Sequence, residues 1–165
     1  MIRKRYLFAA TILVAALIIA AAMPRGPSLL EITASLNSVS TTRGELDTFV
    51  AITSQSSDGL ERFGRRTLLA PNDDAFEAYF ERTETDLDTL LEDTQTIDRI
   101  VNAHLLNGGR SSAQLLQAAR HRTIEGTTIT VEEGILTQGP YSAHIVRGDA
   151  YASNGVVHVI DNVLI

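Results

Sequence analysis

The apolar residues of this chain change period part-way along it. Up to about residue 121 they recur at helical spacing, and from Arg122 onward they alternate. A period of 3.6 lays an apolar stripe along a helix, whereas a period of 2 lays an apolar face along a strand. Helices first and strands later specify an α+β domain, with N-terminal helices packed on a C-terminal β-sheet or β-sandwich wedge. The sequence holds no cysteine, which excludes disulfides, thiolate metal sites and redox thiols. Hydrophobic burial alone has to hold the fold, and residues 28–165 are long enough to provide it.

The helical half reads as short segments. Residues 28–39 put Leu29, Ile32, Leu36 and Val39 on one face, with Ser28 as N-cap and Glu31 closing a capping box. Residues 45–54 form a second helix with Leu46, Phe49, Val50 and Ile52, and 58–63 a further turn. A short buried strand at 67–70 is stopped by Pro71. Asn72 then caps a helix with Asp73 and Asp74 in its first turn, where the helix dipole favours negative charge. Ala75, Phe76, Tyr79 and Phe80 supply that helix's apolar face. Helices are also predicted over 86–91, 96–106 and 112–119, the second ended by Asn107-Gly108-Gly109. Strands are predicted over 127–131, 143–146 and 156–160, the last buried on both faces, with Glu133-Gly134 as a turn. Asn154-Gly155 is expected to adopt positive φ in a tight turn entering the final strand.

Residues 1–23 read as a targeting segment. Arg3, Lys4 and Arg5 precede an uncharged run from Tyr6 to Met23, and Ala20-Ala21-Ala22 satisfies the small-x-small rule for signal peptidase. The run lies on the boundary between a long signal core and a membrane span, so a cleaved signal peptide and a retained N-terminal anchor both stay open. Either one puts the body, linked through 24–27, outside the cytoplasm: secreted, periplasmic or anchored facing outward. If uncleaved, the segment makes the membrane a partner.

Three stretches carry a family resemblance. The first is Thr67-Leu68-Leu69-Ala70-Pro71-Asn72-Asp73-Asp74-Ala75-Phe76. The second is Ile100-Val101-Asn102-Ala103-His104-Leu105-Leu106-Asn107-Gly108. The third is Ser153-Asn154-Gly155-Val156-Val157-His158-Val159-Ile160-Asp161-Asn162-Val163-Leu164. In order and spacing they resemble the signature segments of fasciclin domains, and the resemblance spans residues 28–165. It implies the fasciclin-type α+β fold and structural duties for Thr67, Ala70, Pro71, Asn72, Asp73, Phe76, His104, Asn154, Gly155, His158 and Asp161; one compact domain behind a short leader, with almost no Lys, points to a bacterial single-domain member. Leu69 stands where the family usually has Phe, and Asn72 where it usually has Thr. Both keep the physics of a buried apolar group and an N-cap oxygen. Ala103 replaces the usual Tyr before His104, in a region linked to integrin binding in animal members, which weakens transfer of that activity.

Other signals point away from chemistry. There is no G-x-S-x-G elbow, H-E-x-x-H or Gly-rich phosphate loop, and His104, His121, His144 and His158 lack metal-ligand spacing. His104 and His158 each sit on an apolar face and are read as interior histidines hydrogen-bonded to backbone. Asp86, Asp88, Glu92 and Asp93 read as a solvated helix face. Arg147-Gly148-Asp149 spells the integrin-binding tripeptide, but it directly follows a predicted strand; an Asp near here belongs to the fold in the resembled family, and that assignment is preferred to adhesion. The net charge of −6 argues against nucleic acid as a partner. Two basic clusters, Arg62-Arg65-Arg66 and Arg120-Arg122, are read as surface charge, and the first could face an anionic polysaccharide or a headgroup. The expectation is a non-enzymatic adhesion or matrix-interaction module without cofactor or metal, binding extracellular protein or polysaccharide. The alternative is a carrier of a small apolar ligand, a lipid or pigment, held in the seam between helices and sheet.

Overall fold

The computed structural model describes residues 26–39, 45–57, 60 and 64–165. The leader 1–23 and most of the turn predicted over 58–63 lie outside the described residues, as does Arg62. In chain order the elements are α1 (Leu29–Val39), α2 (Asp47–Gln55), β1 (Arg66–Pro71), α3 (Asp73–Thr83), α4 (Leu87–Glu92), α5 (Thr94–Ala103), β2 (Leu105–Asn107), α6 (Ser112–Gln117), β3 (Arg120–Arg122), β4 (Thr128–Glu132), β5 (Ile135–Gln138), β6 (Tyr141–Ala143), β7 (Ile145–Ala152) and β8 (Gly155–Ile160).

Two four-stranded sheets form, in the orders β2-β1-β8-β7 and β3-β4-β5-β6. The first is mixed: β1 and β8 run parallel, while β2 and β7 flank them antiparallel. Its central strands are buried along both faces, apart from Arg66 at the start of β1, and successive side chains divide between two cores. Leu68, Ala70, Val157 and Val159 join the helices in one apolar cluster around Phe49 and Phe76. Leu69, Leu106 and Ile160 join Ile129, Val131, Leu136 and Ala143 of the second sheet in the other. The layers are therefore helices, mixed sheet and antiparallel sheet, an α+β arrangement.

Several boundaries differ from those read in the sequence. The helix expected over 96–106 ends at Ala103, and Leu105–Asn107 instead pairs antiparallel with β1. Leucine suits either state, and a vacant sheet edge decided between them. β3, β5 and β6 escaped the period test because three- and four-residue strands show hardly one full alternation. The predicted strand at 143–146 is broken at His144, where the chain turns a corner from β6 into β7.

Gly155 also corrects an expectation. It does not take positive φ; the positive-φ glycines among the described residues are 64, 108, 126, 134 and 139. A Cβ at Gly155 would lie 2.1 Å from the carbonyl oxygen of Arg66. Glycine is required here by the close approach of the β1 backbone, not by turn conformation.

Candidate functional site

The three family-like segments meet in the mixed sheet. β1 and β8 lie side by side with Leu69 opposite His158, and His104 O accepts the N–H of Leu69 (2.9 Å). Around this seam, polar side chains hold backbone groups. Thr67 Oγ1 donates to Gly108 O (2.7 Å) and accepts from Arg110 N–H (2.9 Å). Asn72 Oδ1 accepts from Ala75 N–H (2.9 Å), capping α3. Pro71 has no N–H to give, and the ladder continues through Asn72 N–H to Ile160 O (3.0 Å). Phe76, fully buried, stacks with Phe49 at 6.3 Å between centroids.

Asp73 does more than favour its own helix dipole. Its carboxylate accepts from Thr48 N–H (2.9 Å) and Asp47 N–H (3.2 Å), the first turn of α2, whose own N-cap, Leu46, makes no side-chain cap bond. Asn154 Oδ1 accepts from Leu29 N–H (2.7 Å) and its Nδ2 donates to Leu60 O (3.0 Å), tying α1 to the β7–β8 turn. Asp161 accepts from His144 N–H (2.6 Å) and lies 3.2 Å from its Nδ1, fastening the β6–β7 corner. Ala70 sits in β1 with no exposure.

The two motif histidines are neutral by construction. His104 Nδ1 donates to Ile100 O (2.7 Å), so its Nε2 must accept from Leu164 N–H (3.0 Å). The ring is wholly buried. Desolvation lowers its pKa from 6.5 to about 4, against a smaller upward effect of the Ile100 carbonyl. His158 uses the opposite tautomer: Nε2 donates to Arg110 O (2.9 Å) and Nδ1 accepts from Asp149 N–H (3.1 Å). Burial again lowers its pKa, opposed by the Arg110 carbonyl and the Asp149 charge. With both nitrogens engaged, neither ring offers a lone pair to a metal or substrate. Among the described residues no group of His, Asp and Glu is placed to hold a metal ion.

The tripeptide Arg147-Gly148-Asp149 lies within β7, where irregularities in register fall on either side of Arg147. Asp149 takes φ of 64°, and its carboxylate accepts from Ser112 N–H (2.8 Å) and Ser112 Oγ (2.5 Å) at the start of α6. Those bonds hold its pKa below the usual carboxylate value. Arg147 lies 3.5 Å from Glu45, and Gly148 is packed against Ser112 and the His158 ring. The carboxylate that a receptor's cation would need is thus held by Ser112. Asp149→Asn, which tolerates the left-handed backbone, is expected to cost about 1 kcal/mol; Asp149→Ala adds backbone strain and should cost about 2 kcal/mol. Urea unfolding of both variants checks the order.

A model of the family described as Fasciclin domain matches residues 44–165. The chain belongs to the fasciclin family. This fasciclin domain is 34% identical over 107 residues to pig transforming growth factor-beta-induced protein ig-h3, a match covering 64% of the chain and 15% of that protein. It is 32% identical over 118 residues to human periostin, covering 70% of the chain and 14% of periostin. It is also 32% identical over 110 residues to the uncharacterised protein sll1735 of Synechocystis, covering 66% of the chain and 78% of that protein. Among solved structures it is similar to a FAS1 domain pair from the insect cell adhesion molecule fasciclin I. The TM-score is 0.57 at 22% identity, covering 73% of this chain and 45% of that one. The fasciclin domain thus spans only about a seventh of ig-h3 or periostin.

Sequence reasoning missed the loop that joins β2 to α6. Residues 107–111 carry the Arg110 carbonyl that His158 binds, and Ser111 and Gln114 form a capping box on α6. The Ser-x-x-Gln pattern was the available signal. Beside this loop lies an open depression of about 480 Å³, lined by Gly108, Gly109, Arg110, Gln114, Gln117 and Ala118.

Proposed function

We propose that this fasciclin domain is an adhesion or cell-surface interaction module that works outside the cytoplasm by binding extracellular protein or polysaccharide, and that it catalyses no reaction. The observation that carries the reading is the inward engagement of the motif's polar groups. His104, His158, Thr67, Asp73 and Asn154 each hold the domain's own backbone, so these segments build a rigid body and leave recognition to its surface. The likeness in fold to an insect cell adhesion molecule supports the same reading, and the leader at 1–23 supports export. Among the described residues no helix is long and apolar enough to cross a membrane. Weak contacts gain strength when many copies are displayed on one surface.

Beads coated with the native protein are expected to attach to cells of the source organism or to their matrix, and excess soluble protein should displace them. Attachment no better than that of beads bearing denatured protein would overturn the reading.

A further inference from the structure

The acidic residues of this chain are segregated. Half of its twenty carboxylates fall between Asp73 and Asp98, and none falls between Arg99 and Ile124. Folding then brings Arg65 and Arg66 of the first basic cluster into the neighbourhood of the second, Arg120 and Arg122. Arg66 pairs with Asn107 across β1 and β2, and its Nη1 donates to Asn107 Oδ1. The Arg65 guanidinium lies against Gly109, and Arg110 Nη1 donates to Asn107 O (2.6 Å). An antiparallel bridge between Leu106 and Thr123 brings β3 alongside β2, so the Arg122 backbone follows in register beside Asn107, while its guanidinium reaches toward Gly126. Arg120, exposed in β3, comes two residues after Ala118, which lines the depression.

None of Arg65, Arg66, Arg110, Arg120 and Arg122 pairs with a carboxylate among the described residues. Asp149, at the far side of the 107–111 loop, is engaged by Ser112. Arg66 also holds a buried Nε–H without a partner. Gln114 contributes an NH2 group at the depression, because its oxygen already accepts from Ser111 N–H (3.0 Å), and Gln117 adds a second amide.

We infer that the surface around the 107–111 loop, the depression lined by Arg110 together with the neighbouring arginines, is the contact surface of the domain and that it binds an acidic polysaccharide, one bearing carboxylate or sulfate groups. The inference rests on the adhesion reading above and names its site and ligand class. Guanidinium groups form charge-assisted, often bidentate bonds with such anions, and amides match sugar hydroxyls. Unpaired arginines on an acidic body concentrate the attraction locally, because oppositely signed charges beyond about 8–10 Å are screened. A bilayer is the less suitable occupant. Membrane-surface binding adds apolar side chains that insert, and the exposed Leu116, Val146 and Tyr151 do not line the depression.

The test measures binding of the native protein to immobilised heparin and polygalacturonate, with neutral dextran and anionic phosphatidylglycerol vesicles alongside. The acidic polysaccharides should be retained and dextran not, and binding should collapse as salt rises. The triple variant R65Q/R110Q/R122Q should bind at least about tenfold more weakly, and R82Q, whose guanidinium lies over Tyr141 beside the C-terminal residues, should bind normally. The double variant R65Q/R122Q guards against misfolding, since neither side chain makes a hydrogen bond among the described residues; it should melt as wild type and still lose affinity. No polyanion binding by wild type, equal binding by the variants, or binding to vesicles alone would overturn the inference. If bead attachment persists in the triple variant, the arginine surface is refuted and the adhesion reading stands; if it is lost together with polyanion binding, both hold.

Discussion

Gly155→Ala is expected to be the most damaging single methyl group that can be added to this domain. The new Cβ would lie 2.1 Å from Arg66 O, 2.9 Å from Arg66 C and 3.1 Å from Arg66 N, all backbone atoms. Neither strand can yield cheaply. β1 is locked to β8 through six registered pairs and to β2 on its other side, and Arg66 N–H donates to Asn154 O next to the glycine (2.9 Å). Relieving the contact means parting the parallel pair that separates the two apolar cores. The expected loss exceeds about 3 kcal/mol, a large part of a domain's stability. Gly134→Ala is the contrast: it has φ of +85° and no atom within 4 Å of its Cβ position, so it carries only backbone strain of about 1–2 kcal/mol. Urea unfolding of both variants reads the difference. A Gly155→Ala protein as stable as the Gly134→Ala protein would contradict the close approach of β1 to β8.

Acid should loosen the domain well above the range in which ordinary carboxylates titrate. His104 is neutral in the fold, with a pKa of about 4 against 6.5 when exposed. Between those values the unfolded chain binds a proton that the folded chain refuses. Stability is therefore complete above about pH 6.5 and falls as pH drops toward 4, by about 3 kcal/mol in all. The physical cause is twofold: the ring is wholly buried, and a proton on Nε2 would face the Leu164 N–H that now donates to it. His158, shifted in the same direction, adds to the same loss. Asp149 is shifted below its ordinary 3.8 and contributes a later loss at lower pH. Urea midpoints measured from pH 7.5 to 4 should fall steadily for wild type. A His104→Gln variant should start less stable and lose less over that interval. A wild-type midpoint unchanged between pH 6.5 and 4.5 would show that His104 is not buried as described.

Much of the architecture was legible because it rests on local rules. The capping box is made by Ser28 and Glu31, through bonds of 2.7 and 3.3 Å, and Asn72 caps its helix with a side-chain bond to the third residue on. Glu133 and Gly134 both take positive φ in the turn between β4 and β5. Each depends on residues three or four apart, so adjacent sequence suffices. The long apolar run at 156–160 likewise announced a strand covered on both sides.

What the sequence by itself determined is the α+β class, the helix caps, the burial of the final strand and, through three matched segments, the family. Tertiary structure alone decided the rest, because the deciding partners are distant in sequence. Asp73 caps a helix that begins 26 residues earlier, Asp149 caps one 37 residues earlier, and Leu105 became a strand because β1 offered a vacant edge. Gly155 is glycine for the sake of Arg66. The gathering of Arg65, Arg66, Arg110 and Arg122 about one loop is of the same kind: charge is written along the chain, but its density on a surface is set by which strands lie side by side.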